Sequence, residues 1–492
     1  MTEQNPPDEL DEYFFGSHLD VDGPALTEEQ RKAKERWKAT IEEAKEPLTL
    51  DDLHRIFQRW LYIEDTDLIE VLLACAIDRK IPGDPVWLML IVASGGLKSE
   101  LLKALLWLTK MTIEADGLTA RSIVSGLTNA KGEVLRGFAV EADGKVVVMK
   151  DFTEFLSKEH NERGEIIGQF RTWYDGSVSR RFGSQDKILT VHSRIGLIIG
   201  VTPAVDIFTS VLGSLGERFL KIRYHQDREK SQLMARKWRG HEEEMRRQLG
   251  MAVYRFIHTL KLENLKPDQI PLVPPEIEDT IGALAELLAF GRAILPRHLG
   301  DKGSGSYDPE PEYSTRSVKQ MLKLAAAITL IRGKPTVTLD EFKIVARIAE
   351  DSCAPHRLKI FQAMFNRSLN ASEVSRETGV ARATVYDALE DMEILQFAKA
   401  EEIREGDLKV TRYTLTPMIE KALITVYGKD KEGHLGSTPT VAEPMEGQST
   451  LNNPPLPSPP TKEPSPEQVT SQVEAMRKLT TRNWQDHHHQ EP

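Results

Sequence analysis

The sequence is poor in cysteine and has no long apolar run. Two cysteines, Cys75 and Cys353, occur in 492 residues, which excludes a disulfide framework and a multi-thiolate zinc site. Both are expected as buried thiols in a reducing compartment. No apolar run approaches the roughly 18 residues of a membrane span. The first ten residues are acidic and contain prolines, unlike a secretion signal. A cytoplasmic protein without a membrane partner is therefore expected.

Positive charge is also in deficit, because the formal net charge is −11. An acidic surface argues against nucleic-acid binding by the surface as a whole. It leaves room for a local basic face, and residues 218–247 contain ten lysines and arginines. Three consecutive glutamates at 242–244 interrupt that stretch. It is either a basic face or a solvated helix face with paired charges.

The length allows two or three domains. The pattern predicts an α/β fold whose mostly parallel sheet is buried on both faces, with strands at 86–92, 145–149 and 195–201. Helices are expected to dominate from about residue 217 to 352. The predicted order is a disordered acidic N-terminus (1–24), a helical preface (25–80), an α/β nucleotide-binding core (81–235), a helical region (236–352), a compact final domain (354–427) and a disordered proline-rich tail (428–492).

One segment joins an apolar strand, a glycine turn, Lys98-Ser99 and a helical run at 101–106. In such a phosphate-binding loop, the backbone N–H groups and the helix N-terminus face the phosphates. The lysine reaches the terminal phosphates, and the hydroxyl binds Mg²⁺. The residues predicted to hold ATP are Ser94, Gly95, Gly96, Leu97, Lys98 and Ser99.

The loop departs from the usual G-x-x-x-x-G-K-[ST] pattern. Val92 and Leu97 occupy its two glycine positions. Gly95 and Gly96 would then have to supply the backbone freedom that a close approach to phosphate needs. The alternative is a strand–turn–helix connection with a chance Lys-Ser pair.

A carboxylate follows the second predicted strand. Four apolar residues at 146–149 precede Lys150 and Asp151, and ligands of open α/β sheets lie at the carboxyl ends of the strands. Asp151 is therefore predicted to hold Mg²⁺ together with Ser99. Phe152 stands where such enzymes usually carry a water-activating glutamate, and Glu154 is a weaker candidate for that role. The alternative is an ordinary buried strand that ends at the surface.

Two further polar residues follow the third predicted strand. Thr202 ends it before Pro203 and could sense the γ-phosphate, although a plain turn explains it equally well. Arg218 comes soon after. An arginine presented to a neighbouring subunit's nucleotide stabilises transition-state charge. A surface salt bridge is the alternative for Arg218.

The order of these elements resembles an AAA+ ATPase, in particular the minichromosome maintenance (MCM) helicases and the MCM-like ATPases of phages and mobile elements. Residues 86–99 resemble their phosphate loop, 146–152 Walker B, 195–203 the sensor 1 strand and 215–219 the arginine-finger segment. Residues 314–350 resemble the MCM lid, which implies that Arg316 is a sensor 2 residue; a solvated first-turn arginine is the alternative. The resemblance implies ATP and Mg²⁺ as cofactors and a homo-oligomer, most simply a hexameric ring. The altered glycines and the missing glutamate put hydrolysis in doubt more than binding.

Residues 370–389 read as a helix-turn-helix, and 397–416 as two short strands that form a wing. The whole resembles the winged-helix domain that follows the lid in MCM proteins. The residues that would contact DNA are Arg382, Thr384, Tyr386, Lys409 and Arg412. The same helix carries Asp387 and Glu390, and carboxylates near phosphates are repulsive. A protein-contact module is therefore the alternative.

The sequence predicts an ATP-dependent enzyme that remodels or unwinds DNA, similar to the replicative helicases of mobile elements. The first alternative is a DNA-associated regulator that binds ATP and hydrolyses it slowly. The second is an ATPase that remodels protein.

Overall fold

The computed structural model describes residues 44–95, 97–115, 117–125, 137–156, 159–182, 187–208, 218–293, 295, 311–405, 408–430 and 433–441. All of them belong to one compact unit, residues 1–443; residues 444–492 form a second unit. The predicted acidic N-terminus (1–24) and the proline-rich stretch at 453–460 lie outside the described residues.

In the part of the chain that the structure describes, two α-helices precede the sheet, where the sequence predicts a helical preface. Helix α1 (Leu50–Trp60) is capped by Thr49, whose side chain accepts the Asp52 N–H. It buries Leu53, Phe57 and Trp60 on one face. Helix α2 (Asp67–Ala76) is buried at every position after its first residue. Cys75 in α2 is a buried free thiol, as is Cys353, so the prediction that both are buried is confirmed.

The next part of the chain alternates strands and helices. Its elements are β1 (Trp87–Val92), α3 (Lys98–Leu105), β2 (Thr112–Glu114), α4 (Ala120–Ile123), α5 (Phe138–Glu141), β3 (Val146–Met149), α6 (Thr153–Leu156), α7 (His160–Tyr174), β4 (Ser177–Phe182), β5 (Lys187–His192), β6 (Gly196–Val201) and β7 (Phe219–Tyr224). The three predicted strands are β1, β3 and β6. Each ends at its predicted residue and begins within one residue of its predicted start.

The five strands β1, β2, β3, β6 and β7 form one parallel sheet in the order β2-β3-β6-β1-β7. Alternate residues of β1 enter two different cores: Leu88 and Leu90 lie in one, Met89 and Ile91 in the other. Both faces of the sheet are thus covered, as continuous apolar strands require. The α/β prediction with a parallel sheet is confirmed.

One expectation about this region is wrong. Helices were expected to dominate from about residue 217, but Phe219–Tyr224 is strand β7, paired with β1 from Trp87↔Phe219 to Val92↔Tyr224. The strand escaped detection because Lys221 and Arg223 break its apolar run. Tertiary contacts hold both residues: the Lys221 backbone N–H donates to Ser352 Oγ at 2.7 Å, and the Arg223 side chain binds Asp206.

Helices follow, as predicted. They are α8 (Arg228–Lys237), α9 (Glu242–Thr259), α10 (Pro275–Arg292), α11 (Thr315–Ile331) and α12 (Leu339–Ser352). A capping box opens α12, where the Thr338 N–H donates to the Glu341 carboxylate at 2.9 Å.

The arginines of the basic stretch at 218–247 are largely paired. Arg246 binds Glu100 at 2.9 Å and Arg247 binds Glu244 at 2.9 Å. Arg218 is itself buried. These contacts favour the second interpretation of this stretch, a helix face with paired charges.

The final elements are α13 (Arg357–Met364), α14 (Ala371–Thr378), α15 (Arg382–Ile394), β8 (Ala398–Glu405), β9 (Leu408–Leu415) and α16 (Pro417–Tyr427). Gly379, with φ +69°, makes the turn between α14 and α15, and β8 pairs antiparallel with β9. The two predicted helices and two predicted strands are present. Ordered chain extends past the predicted start of the tail at 428, because the Thr440 N–H donates to Val426 O at 2.8 Å.

This last region shares a hydrophobic core with the preceding helices. The rings of Phe290 in α10 and Phe397 lie 5.0 Å apart. The Tyr427 hydroxyl donates to Glu350 in α12 at 2.7 Å. Such contacts fix the region rigidly against the helical layer.

Candidate functional site

The predicted nucleotide residues lie at the carboxyl ends of β1, β3 and β6. After β1 the chain crosses to β2, at one side of the sheet. After β6 it passes β1 and continues to β7, at the other side. Ligands of open α/β sheets bind in the crevice where the connections diverge in this way. The topology therefore gives this edge a binding crevice beside β1.

The turn after β1 has the backbone geometry that the sequence predicts. Gly95 has φ +76°, in the left-handed region that favours glycine. Ser94 and Gly95 are exposed, while Leu97 is buried directly before α3. Gly96 lies outside the described residues. Gly95 therefore supplies the backbone freedom that Val92 and Leu97, at the usual glycine positions, cannot.

One N–H of this turn already has an acceptor. The Leu97 N–H donates to Gln226 Oε1 at 3.2 Å, and Gln226 follows the end of β7. The sequence did not identify Gln226 as a contact of this turn, because it follows strand β7, which the sequence pattern did not predict.

Lys98, the first residue of α3, has only 8% of its surface exposed. Burial lowers the pKa of its ammonium, and the nearby Asp151 carboxylate opposes that shift. Within the described part of the chain, the Lys98 ammonium has no hydrogen bond and no ion pair. The buried part of Lys98 is its stem, because the ammonium nitrogen is not among the solvent-shielded polar atoms without a partner. The site is therefore suited to an anion.

Gly200 in β6 makes room for Lys98. A Cβ at this position would lie 2.7 Å from Lys150 O, 2.8 Å from Lys98 Cδ and 2.9 Å from Leu102 Cδ1. Only a residue without a side chain lets the lysine stem pass over the strand. A glycine inside a strand is the signal for such a close approach, and it was overlooked in the sequence.

Substitution of Gly200 by alanine is expected to displace the Lys98 stem, because the clash with Lys150 involves backbone that cannot yield. We expect ATP to bind at least about tenfold more weakly and the free energy of unfolding to fall by about 1–3 kcal/mol. Fluorescence titration with an ATP analogue and thermal denaturation measure these effects. Gly282→Ala in α10 is the matched control. Its added Cβ meets nothing within 4 Å, so it should stabilise the helix and leave binding unchanged. Wild-type ATP affinity in Gly200→Ala would contradict this account of the strand.

The predicted metal ligands, Ser99 and Asp151, both lie at the carboxyl edge of the sheet. Ser99 lies in the first turn of α3 and is half-buried, and Asp151 follows β3 and is exposed. The adjoining Phe152 N–H donates to Gly200 O at 2.9 Å, which anchors the backbone beside β6. Mg²⁺ needs only one or two protein oxygens when phosphates and water complete its shell, so this pair fits. No group of three or more His, Cys, Asp or Glu side chains suited to a metal occurs among the described residues.

The residue directly after Asp151 is part of the hydrophobic core. Phe152 is fully buried, and its ring lies 4.5 Å from that of Phe155. A glutamate would not fit there without loss of that packing. The side chain of Glu154, the substitute predicted from the sequence, lies outside the described residues.

Thr202 follows β6 directly and is half-buried beside the end of β1. A short 3₁₀ helix, Pro203–Phe208, comes next. Its Asp206 binds Arg223 of β7 through two hydrogen bonds of 2.7 and 2.8 Å. This bidentate contact fixes the segment that carries Thr202 across the end of β1.

Arg218 and Arg316 lie at the opposite edge of the sheet. Arg218 directly precedes β7, and the first residue of β7 pairs with the first residue of β1. Lys98 lies beyond the last residue of β1, at the opposite end of that strand. A strand of six residues spans about 20 Å. Neither arginine is therefore placed to reach a phosphate held by Lys98 of its own chain. Residues 215–217 of the predicted arginine-finger segment lie outside the described residues.

Both arginines pack on Tyr174, the last residue of α7, at 5.3 Å (Arg218) and 5.5 Å (Arg316) from the ring centre. Burial and the adjacent Arg316 both lower the pKa of Arg218. Arg218 also donates to Asp175 at 3.3 Å, and Gln320 of α11 donates to the Arg218 carbonyl at 2.8 Å. Arg316 lines an open cavity of about 590 Å³. Its other polar walls include Asp175, Arg194, Glu312 and Lys319.

The residues predicted to contact DNA are separated by the structure into two groups. Arg382, Thr384 and Tyr386 are exposed on the first turns of α15. Arg412 is engaged within the domain, where it binds Glu373 at 3.2 Å and Ser368 O at 2.7 Å. Lys409 pairs with Glu402 at 3.3 Å on the exposed hairpin. Only the first group is presented to a partner without a change in existing contacts.

A second hairpin was not predicted. Strands β4 and β5 pair antiparallel between α7 and β6, next to the arginine edge. They carry Arg180 and Arg181, and Ile188 has 61% of its surface exposed. The alternation of polar and apolar residues from 177 to 192 could have identified the hairpin in the sequence.

No protein-family model matches this chain, and no curated protein matches it either. Among the described residues, no helix is both long enough and apolar enough to cross a bilayer. The function must therefore be argued from the geometry above.

Proposed function

We propose that this chain is an MCM-like AAA+ ATPase with a helical lid and a C-terminal winged helix, and that it uses ATP to remodel or unwind DNA. The observation that carries the proposal is Lys98, a residue with a buried stem at the start of the helix in a strand–glycine turn–helix connection, close to the carboxylate of Asp151, which follows β3, two strands away from β1. In this proposal β8 and β9 are the wing, and α15 is the recognition helix.

Each residue at the carboxyl edge has a separate task. Lys98 neutralises the β- and γ-phosphates of ATP, and the turn at 93–97 donates its N–H groups to them. Mg²⁺, when bound, neutralises phosphate charge and orients the transferred group. Ser99 and Asp151 hold the metal, and Thr202 contacts the γ-phosphate or the attacking water.

The arginine edge serves a neighbouring subunit. Arg218 and Arg316 cannot serve the site of their own chain, but both fit a role at the γ-phosphate of the next chain. Such head-to-tail contacts generate a ring if the rotation closes, and a hexamer is the proposed assembly. Asp175 and Tyr174 keep both guanidinium groups in place at that edge.

A slow ATPase that acts as a regulator on DNA is the second candidate. It is favoured by one observation, the buried Phe152 at the position where a water-activating carboxylate is expected. In that case ATP binding would set the conformation, and α15 would select the DNA site through Arg382 and its neighbours.

The ATPase rate measured with and without single-stranded DNA tests these proposals. We expect DNA to stimulate ATP turnover, and expect the Arg382→Ala protein to lose most of the stimulation while it keeps the basal rate, because Arg382 is exposed on α15. If Arg382 binds a phosphate, its removal should also reduce the salt dependence of DNA affinity, by about 0.7 for that charge on single strands. Lys421→Ala, an exposed position on α16, is the control.

Three results separate the candidates. Stimulation by DNA together with strand displacement supports the helicase. DNA binding with negligible turnover supports the regulator. Turnover that DNA does not affect would overturn both and leave a protein remodeller.

A further inference from the structure

A cavity of about 320 Å³ shares no lining residue with the proposed ATPase site. Its walls come from the turn at 108–111 between α3 and β2, from the C-terminal end of α9 and from the 3₁₀ helix after it. None of the residues assigned above to nucleotide, metal, arginine-edge or DNA contact lines it. Its volume is at the lower end of the range of small-molecule sites.

The charges around this cavity are mostly positive, in a chain of net charge −11. Lys80, Lys110 and Lys261 contribute to its wall, and Glu263 is the single carboxylate there. The lysines come from three separate segments of the chain. Lysine ammonium groups act as point charges that bind phosphate, so the excess of two positive charges favours an anionic ligand.

An aromatic pair forms another part of the wall. The Tyr254 and His258 rings lie 4.2 Å apart. Tyr254 is 2% exposed, and its hydroxyl is shielded from solvent without a hydrogen-bond partner in the described part of the chain. Burial raises the pKa of this hydroxyl to about 12, so it remains a donor. An unsatisfied buried donor costs free energy and requires an explanation.

Two local features agree with a binding role. Lys261 has φ +51°, a left-handed conformation that is uncommon for residues other than glycine and tends to occur at functional sites. Burial lowers the pKa of His258, and Lys110 lowers it further while Glu263 opposes both. A neutral His258 offers one donor and one acceptor to a ligand.

We propose that this cavity binds a phosphate monoester of about the size of a mononucleotide, with its phosphate held by Lys110 and Lys261 and completed by a donor from Tyr254. The apolar part of the ligand lies on Met111 and Ile257. The cavity is separate from the phosphate loop, so it gives the protein a second binding site for a small ligand.

The test is calorimetric titration of the Lys98→Ala full-length protein, in which the phosphate loop no longer holds a phosphate. The probes are AMP, ribose 5-phosphate and adenosine. We expect the two phosphate esters to bind and adenosine not to bind. Tyr254→Phe and Lys261→Gln, each added to Lys98→Ala, should weaken AMP binding by about tenfold or more. Lys421→Gln should leave it unchanged.

Thermal melts separate a lost ligand contact from a damaged fold. Tyr254→Phe removes only the unsatisfied hydroxyl, so the melting temperature of the ligand-free protein should stay the same or rise. The proposal is overturned if AMP binds no better than adenosine, or if both variants keep the parent affinity for AMP. Neither result depends on whether the phosphate loop binds ATP.

Discussion

Lys98→Ala should abolish measurable ATP binding and, with it, ATP turnover. Lys98 is the cation that the structure places at the phosphate end of the crevice, and the loss of a charge-assisted contact of this kind costs about 2–5 kcal/mol, or roughly 30-fold to several thousand-fold in affinity. Equilibrium titration with a fluorescent ATP analogue and a steady-state ATPase assay measure both losses.

The fold should survive this change. Lys98 has no hydrogen bond or ion pair to any described residue, so its truncation breaks no polar contact within the described part of the chain. The melting temperature of the ligand-free Lys98→Ala protein should therefore match or exceed that of the wild type. Lys103→Ala is the matched control, since Lys103 lies on the same helix and pairs with Glu100 at 3.4 Å. Unchanged ATP affinity in a folded Lys98→Ala protein would reject this site.

Mixing of two inactive variants should restore ATPase activity, because the two halves of the proposed site lie at opposite edges of the sheet. Lys98→Ala loses the phosphate-loop half and Arg218→Ala loses the arginine half. In a random mixed ring, about one quarter of the head-to-tail interfaces would join an intact loop to an intact arginine edge. Arginine fingers contribute on the order of 10³–10⁵ in rate, so recovery to a quarter of the wild-type rate would be clear of background.

Two control mixtures sharpen this test. Arg218→Ala mixed with Arg316→Ala has both defects on the arginine edge, and Lys98→Ala mixed with Asp151→Asn has both on the carboxyl edge. Neither mixture can form a complete interface, so neither should recover. If the mixture of Lys98→Ala with Arg218→Ala co-assembles by mass measurement but recovers no activity, Arg218 is a structural residue that holds Asp175 and Tyr174. Recovery in all three mixtures would indicate an effect of assembly alone.

The sequence was most informative where short-range rules apply. The strands β1, β3 and β6 are continuous apolar runs, because a parallel strand covered on both faces has no polar side to interrupt the pattern. The capping box at Thr338 and the glycine turn at Gly379 are likewise local, since their hydrogen bonds and φ angle depend on neighbouring residues. These features fixed the α/β class, the helical layer and the place of the phosphate-loop motif.

Other features depend on residues far apart in the chain. Strand β7 carries two cations in a buried layer, and the charge of one of them, Arg223, is balanced by a distant partner, Asp206. The role of Gly200 becomes visible only in the folded chain, where the Lys98 stem passes over it. Arg412 reads as a wing residue available to DNA, but it binds Glu373 on the preceding helix.

The sequence by itself determined the strands β1, β3 and β6, the helical layer after the sheet, and which residue types could hold a phosphate and its metal. Only the tertiary structure decided that Lys98, Ser99, Asp151 and Thr202 meet at one edge of the sheet while Arg218 and Arg316 meet at the other. The reason is that strand order is set by long-range packing of two apolar faces, which no local pattern records. That order places β1 between β6 and β7, and so separates the arginines from the loop by the length of a strand.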